Sequence, residues 1–365
     1  MPIPLYARHY QTLEPLAITV EAGSIVRIDP LDDDSISTIV APGYFDLQIN
    51  GGLGINFTSA DLKLDDIHRL VDHFTTIGIG GFCPTVITSS SDTIAAAFTT
   101  LRKAVESDAT LREMMPCFHL EGPFISADDG PRGAHPREHV QLPDFDQFQR
   151  WQTAAAGNIR LVTLAPELPG CLRLIEQFTK LGIVVALGHS AGPPQAIRDA
   201  IAAGAKLSTH LGNGAARLQP RHENVINEQL AADELMASII PDGHHLPWNL
   251  VRIIERCKTP ARLIITCDSS ALAGVPAGEY TLWGSPLLVT PEGKIQLKDQ
   301  GLLAGSWDFT PACVMKYLHH QNSDYPTVHA MASDHPRKLL GLPVPTLEVG
   351  QPGRLVEWTR PEILS

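Results

Sequence analysis

Phe118-His119-Leu120-Glu121-Gly122-Pro123-Phe124 is the stretch from which the rest of the chain can be read. An apolar run (Met114, Met115, Cys117, Phe118) leads into a histidine and a glutamate, and Gly122-Pro123 then forces a turn. This pattern predicts a short buried strand whose C-terminal end presents a carboxylate to a loop. Burying a carboxylate there is costly unless something cationic meets it. Taken alone, Glu121 reads more simply as a strand cap satisfied by backbone amides. Two histidines in the same strand-end setting, His189 and His210, and an acid, Asp268, change that balance. The four together fit the site of a metal-dependent hydrolase.

Outward from this strand, apolar runs recur at 44–49, 79–87, 116–120, 159–164, 183–187, 206–209, 237–240 and 262–266. Near-continuous apolar runs suit parallel strands buried on both faces. Helical stretches intervene at 61–76, 92–105, 171–181 and 194–203. The first places Leu64, Ile67, His68, Val71 and Phe74 on one face; the last has a proline near its start and Gly204 after its end. Eight strand–helix units are the count that closes a (β/α)8 TIM-type barrel. Polar residues fall at the strand ends. Asp46, Gln48 and Asn50 belong to the first strand, His119 and Glu121 to the third, and Glu167 to the fourth. His189 and His210 follow the fifth and sixth, Asp242-Gly243-His244-His245 the seventh, and Asp268 the eighth. In such a barrel they gather on one rim, where the active sites of that fold lie.

Short β-like pieces at 16–20, 24–28 and 38–40 precede this middle, and similar pieces at 345–348 and 355–358 follow it. They predict a small β-sandwich domain built from both termini, 1–40 and 341–365, beside a barrel at 41–340.

Composition narrows the class. Of 365 residues, 44% are hydrophobic and 19% charged, enough apolar material for a large core and no signature of disorder. The net charge is −12 and no Lys/Arg-rich run occurs, which argues against a nucleic-acid surface. No stretch approaches the roughly 20 apolar residues of a membrane span, and the first residues lack the basic-then-apolar pattern of a signal peptide. The cysteines (Cys83, Cys117, Cys171, Cys257, Cys267, Cys313) are widely spaced without a C-x-x-C pair. They read as reduced core residues, so a cytoplasmic home is expected.

Glu121, His189 and His210 are the donor set of a catalytic zinc site, which commonly takes three protein ligands and leaves a fourth position for water. Asp268, from the last strand, is placed to accept that water's proton and return it to a leaving nitrogen. A lone strand-end histidine is more often a hydrogen-bonded structural residue, but two after the same kind of strand reverse the odds. Asp268 has its own plain reading, a cap for the turn at Ser269-Ser270. No G-x-S-x-G elbow and no P-loop occur, so serine chemistry and nucleotide cradling lack support.

At this point the chain resembles the N-acetylglucosamine-6-phosphate deacetylase family of the amidohydrolase superfamily. The matching pieces are APGYFDLQINGGLGINF (41–57), HLEGPFIS (119–126), RGAHP (132–136), TLAPE (163–167), LGHS (187–190), THLGNGA (209–215), DGHH (242–245), CDSS (267–270) and LLAGS (302–306). The resemblance implies a metal-bearing barrel, a small β domain, a homodimer, and hydrolysis of the acetamide of an amino-sugar phosphate. It puts Glu121, His189 and His210 on the metal ligands and Asp268 on the catalytic acid/base. His135 falls on a residue near the substrate carbonyl, and Asn213 and Gly214 on the segment that meets the sugar phosphate. Arg221 and His245 fall on a phosphate-binding pair that the neighbouring subunit supplies.

The chain departs from the family in four places. Where many amidohydrolases carry His-x-His and two metals, it has Gln48 and Asn50, neutral amides that are poor ligands for a transition metal. One divalent ion per subunit, Zn2+, is therefore expected, with His119 as support behind the ligands. Gly212 replaces a usually large residue, and Asn213-Gly214-Ala215 the usual Asn-Ala-Met, which predicts a smaller wall beside the ligand. Arg221-His222-Glu223-Asn224 replaces Arg-Glu-Pro-Gly. Arg354 stands where an acidic residue is common. Two rival readings are an amidohydrolase for an unphosphorylated N-acetylated sugar or other small amide, and a non-catalytic sugar-binding protein.

Overall fold

A computed structural model describes residues 3–359. The barrel strands are β1 (Tyr44–Ile49), β2 (Ile79–Ile87), β3 (Phe118–Glu121), β4 (Ile159–Leu164), β5 (Val184–Leu187), β6 (Leu207–Ser208), β7 (Met236–Ile239) and β8 (Leu263–Ile265). They lie side by side in chain order, each recorded ladder parallel. A helix follows each strand: α1 (Leu64–Thr76), α2 (Ser91–Ser107), α3 (Phe145–Ala154), α4 (Cys171–Lys180), α5 (Pro194–Ala203), α6 (Val225–Ala231), α7 (Trp248–Lys258) and α8 (Thr310–Gln321). Local chemistry sets the helix ends. Ser90 caps α2 by accepting from Thr93 N, and Gly204 ends α5 in the left-handed region at φ +116°.

Successive side chains in a strand alternate between the helices and the barrel interior. The interior is therefore layered, as barrel cores are. Phe45, Leu47, Cys83, Cys117, Leu161, Ala186, Leu207 and Ile264 form an apolar floor. Above it Thr85, His119, Thr163 and Thr209 are joined by hydrogen bonds: His119 Nδ1 to Thr85 Oγ1 at 3.3 Å, His119 Nε2 to Thr163 Oγ1 at 2.8 Å, and Thr163 Oγ1 to Thr209 Oγ1 at 2.8 Å. The next residues up are Glu121, His189, His210 and Asp268.

Between β1 and β8 the ring closes through side chains more than through a ladder. Ile49 and Ser269 form one parallel bridge. The buried Asp46 carboxylate accepts from Gln48 N and Cys267 N, each at 2.9 Å, from Thr310 Oγ1 at 2.6 Å, and from Thr266 Oγ1. A charge fully removed from water needs such a set of donors.

Strands from both ends of the chain build a separate five-stranded sheet. Its order is Leu355–Thr359, Thr38–Pro42, Leu5–His9, Pro15–Glu21 and Ser24–Pro30. Thr38–Pro42 crosses the expected boundary at residue 40. The expected small domain also takes in residues 1–2 and 360–365, which lie outside the described residues. The sheet docks on the barrel through aromatic packing of Tyr44, Tyr325 and Trp358, and through His329 Nε2, which donates to Pro42 O at 2.8 Å.

A small sheet beside the barrel has no counterpart in the expectations. Between β8 and α8 the chain forms an antiparallel meander, Gly278–Leu282, Ser285–Val289 and Ile295–Leu297. Leu272, Leu287, Val289, Ile295, Leu297 and Ala304 give it a small core of its own.

Candidate metal centre and active site

Glu121 ends β3 with its side chain turned into the barrel, 2% exposed. Its Oε1 lies 3.1 Å from His189 Nε2 and 3.2 Å from His210 Nε2, and the two imidazole nitrogens are 3.1 Å apart. Bonds of roughly 2.0–2.1 Å from one ion to three corners of a tetrahedron require corner separations of roughly 3.3 Å. The donor triangle has that size, and its atoms are the borderline N and O bases that suit Zn2+ or a similar divalent ion. His189 Nδ1 lies 2.8 Å from Pro131 O, so the N–H is on Nδ1 and the Nε2 lone pair faces Glu121 and His210. The residues fit a metal ion, and they are the one such His/Cys/Asp/Glu group found among the described residues.

His189, His210 and Asp268 share a backbone feature. All three sit just past a strand end in the left-handed region, at φ +53°, +31° and +51°. Side chains rarely adopt that region without compensation, and its use at functional positions is a known pattern. The turn swings each side chain over the open end of the barrel.

Asp268 approaches from the opposite side. Its Oδ1 accepts from Asn50 Nδ2 at 2.7 Å and from Gln48 Nε2 at 2.9 Å, and Gln48 Nε2 also lies 2.8 Å from Glu121 Oε1. Its carboxylate is thus held by the side-chain amides of Gln48 in β1 and Asn50 just past its end, and not by the turn at Ser269-Ser270. Burial, and then the nearby charge of Glu121, push its carboxyl well above the usual carboxylate range. Gln48 presents an N–H to both carboxylates and Asn50 one to Asp268, where ligands for a second ion would present lone pairs. Glu121 itself is held low despite burial by its bonds to His189 and His210.

His135 enters from the loop after β3. Its Nδ1 is 2.8 Å from Thr88 Oγ1, and its Nε2 is 4.0 Å from Glu121 Oε2, facing the same space. Burial, followed by the nearness of His189, pushes its pKa down to about 3, so the ring is neutral. Gly122 makes this contact possible: at φ +74° a Cβ there would come 2.3 Å from Thr88 Oγ1. His119 touches none of the three donors. It belongs to the threonine layer beneath them, and burial pushes its pKa down to about 4.

These groups open into a cavity of about 300 Å3, also lined by Asn213, Gly214, Arg217, His245 and Trp283. Trp283 is carried by the meander, and its indole N–H has no partner among the described residues. Gly214 packs between the ligand rings, where a Cβ would come 3.1 Å from His189 Nδ1 and 3.2 Å from His210 Cε1. Gly212 lines the cavity, but the room a larger side chain would need is already taken: a Cβ there would meet Leu246 Cδ2 at 2.8 Å. The smaller wall expected from sequence is therefore backed by Leu246.

The pair Arg221 and His245 separates. His245 lines the cavity of its own chain. Asp242 fixes it there, accepting from His244 N and His245 N at 2.8 Å each and from His245 Nδ1 at 2.7 Å. His244 turns away to Glu292 O at 3.1 Å. Arg221 is exposed and lines no part of this cavity. Arg217, Thr88, Trp283 and the Pro131 carbonyl were not legible as site groups. Each depends on a loop folding back over the rim, for which local sequence carries no signal.

No protein-family model matches the chain. It is 31% identical to N-acetylglucosamine-6-phosphate deacetylase of Bos taurus over 351 residues, 93% of this chain and 82% of that protein. It is 28% identical to N-acetylgalactosamine-6-phosphate deacetylase of Escherichia coli O157:H7 over 328 residues, 89% of this chain and 85% of that protein. Among solved structures, N-acetyl-D-glucosamine-6-phosphate deacetylase from Mycobacterium smegmatis superposes with a TM-score of 0.86 at 25% identity, covering 97% of this chain and 95% of that one. By its extended identity to the bovine protein, as by its fold, the chain belongs to the N-acetylglucosamine-6-phosphate deacetylase family.

Proposed function

We propose that this protein hydrolyses the acetamide of an N-acetyl amino sugar 6-phosphate, converting N-acetylglucosamine 6-phosphate to glucosamine 6-phosphate and acetate. The observation that carries this reading is the Glu121–His189–His210 triangle with the Asp268 carboxylate across from it and tied to it through Gln48. Family membership supplies the substrate class.

Glu121, His189 and His210 would hold one divalent ion, Zn2+ by the chemistry of the donor set. When bound, such an ion polarises a carbonyl and makes a water more acidic. The chain's own groups do the rest. Gln48 and Asn50 hold Asp268 by Oδ1, which leaves Oδ2 to take the proton of the attacking water. Asp268 then delivers that proton to the departing nitrogen. His135, neutral and accepting at Nδ1 from the Thr88 hydroxyl, has its Nε2–H left to donate to the oxyanion as it forms. Asn213, Gly214 and His245 line the sugar side of the cavity.

A homodimer in which Arg221 reaches the neighbour's site is part of this reading. Its support is that Arg221 is exposed and lies off its own cavity. The six free cysteines suit a reducing compartment such as the cytoplasm. Among the described residues no helix is long and apolar enough to cross a membrane.

The direct test is release of acetate by the zinc-loaded chain from the 6-phosphates of N-acetylglucosamine and N-acetylgalactosamine, and from the unphosphorylated sugars. Turnover of a 6-phosphate well above that of its parent sugar is expected. Equal turnover would favour a deacetylase of unphosphorylated sugars, and no turnover of any would favour a sugar-binding protein.

A further inference from the structure

At the opposite end of the barrel from the metal donors lies a second cavity, of about 270 Å3. Gly43 stands just before β1, Gly80 is the second residue of β2 and Pro116 lies two residues before β3, so its walls rise around strand starts. Gln351 and Arg354, which lead into the terminal-sheet strand Leu355–Thr359, line it from the other side. Leu342, Pro343, Pro345 and Pro352 give it apolar walls. Three charged groups line it, and they do not cancel. Glu113 Oε2 lies 2.9 Å from Arg354 Nη1 and 2.5 Å from its Nη2, so these two answer each other. Arg337, on the short helix Asp334–Leu339, makes no ion pair among the described residues; Asp334, one turn earlier, lies 4.0 Å from Lys338 Nζ instead. The Arg337 Nε is enclosed without an acceptor, and Nη1 reaches Pro343 O only at 3.5 Å, the outer limit of a hydrogen bond. Its Cζ lies 4.6 Å from the centre of the Phe45 ring in the barrel floor. That ring face answers part of the charge but accepts none of the in-plane N–H groups. Burial pushes the guanidinium down to about 10, so it stays charged at neutral pH. A cation held in the protein with its donors unanswered is costly, and a bound anion relieves that cost.

We infer that this cavity is a binding site for a small organic carboxylate, held by the Nη1–Nη2 edge of Arg337 with its apolar body against the proline-lined wall. A guanidinium presents a planar fork that fits the two oxygens of a carboxylate in parallel. Two guanidinium groups less one carboxylate leave a single positive charge on the lining, which matches a monoanion better than a dianionic phosphate. The site is separate from the metal centre, because the apolar floor that contains Phe45 and the threonine layer above it lie between the two. It does not depend on the proposed function.

The probes are benzoate, acetate, inorganic phosphate and the neutral benzamide, each titrated by calorimetry into the zinc-loaded full chain. Benzoate should bind with a Kd of about 0.1–1 mM, tighter than acetate or phosphate, and benzamide should not bind. A carboxylate can also ligate a metal ion, so the benzoate titration is repeated on Arg337→Met, Arg337→Lys, Glu113→Gln and His189→Ala. Arg337→Met should weaken benzoate by about tenfold or more, and lysine should restore part of the loss. Glu113→Gln frees Arg354 for the anion and should tighten benzoate by about three- to tenfold, a gain that a misfolded variant cannot mimic. His189→Ala should bind benzoate as the wild type does. Binding that survives Arg337→Met and disappears in His189→Ala would put the carboxylate on the metal and overturn the inference. Equal binding of benzamide, tighter binding of phosphate than of benzoate, or no binding of benzoate by the wild type would overturn it as well.

Discussion

Asn50 Nδ2 donates to Asp268 Oδ1 at 2.7 Å, across the seam where the first and last strands of the barrel meet. Gln48 adds a second N–H to the same oxygen. Asp268→Asn keeps an oxygen acceptor for both amides, so the seam and the ligand triangle should survive while the proton carrier is lost. Turnover should fall by about a thousandfold or more, with zinc content unchanged by elemental analysis. Near-wild-type activity in that variant would remove Asp268 from the mechanism.

The same two amides bear on the number of ions. Gln48 Nε2 lies between Glu121 and Asp268, 2.8 and 2.9 Å from their oxygens, so an N–H already answers the charge a second cation would meet. One equivalent of zinc per chain is expected from metal analysis, and two equivalents would contradict the single-ion reading. Removing the ion leaves Glu121, His189 and His210 crowded without it. An ion held at a hundredfold its dissociation constant stabilises by about 2.7 kcal/mol, so chelation should lower Tm by on the order of 5 °C. His189→Ala should lose metal and be insensitive to the chelator.

Much of the barrel was legible because its signals are local. Apolar runs mark strands buried on both faces, and Pro194 and Gly204 bracket α5 where the sequence places them. Glu121, His189, His210 and Asp268 were legible because a barrel brings all strand ends to one rim, so strand-end position stands in for contact. What failed to show depends on distant loops. Thr88 is an unremarkable threonine until Gly122 lets the loop after β3 bring His135 against it. The 278–297 meander carries its own core of Leu287, Val289 and Ile295, yet its short strands resemble loop sequence. His119 looked equal to Glu121, and only strand height separates them: one residue pair lower in β3, it meets threonines and no ligand.

Thr88 supplies a sharper test of His135 than removing the histidine would. Thr88→Val keeps the shape of the side chain but removes the hydroxyl that lies 2.8 Å from His135 Nδ1. A neutral ring without that donor can move its proton to Nδ1 and lose the Nε2–H. An effect of about tenfold on kcat is expected, with little change in KM or metal content. Gly122→Ala should act through the same contact and cost stability as well, about 1–3 kcal/mol, because its Cβ would collide with Thr88 Oγ1 in a left-handed backbone. Unaltered kcat in Thr88→Val would mean that His135 does not donate in the rate-limiting step.

Asp242 links the site to the pH dependence of stability. Burial alone would raise its carboxyl, but the hydrogen bond and charge of His245 and the N–H groups of His244 and His245 hold it well below the usual carboxylate range. Its folded pKa is thus depressed relative to an unfolded value of about 3.9. The sign follows: the stability it contributes is full above the unfolded pKa and is lost as pH falls from there toward the folded value. Asp242→Asn removes that contribution, so the variant should be less stable than wild type by about 1–3 kcal/mol at pH 7. The gap should narrow as the pH is lowered through 4 toward 3, read as the difference between the two Tm values in thermal melts of the metal-free proteins. A gap that stayed constant or widened on acidification would mean that the carboxylate charge of Asp242 is not what holds His245 in place.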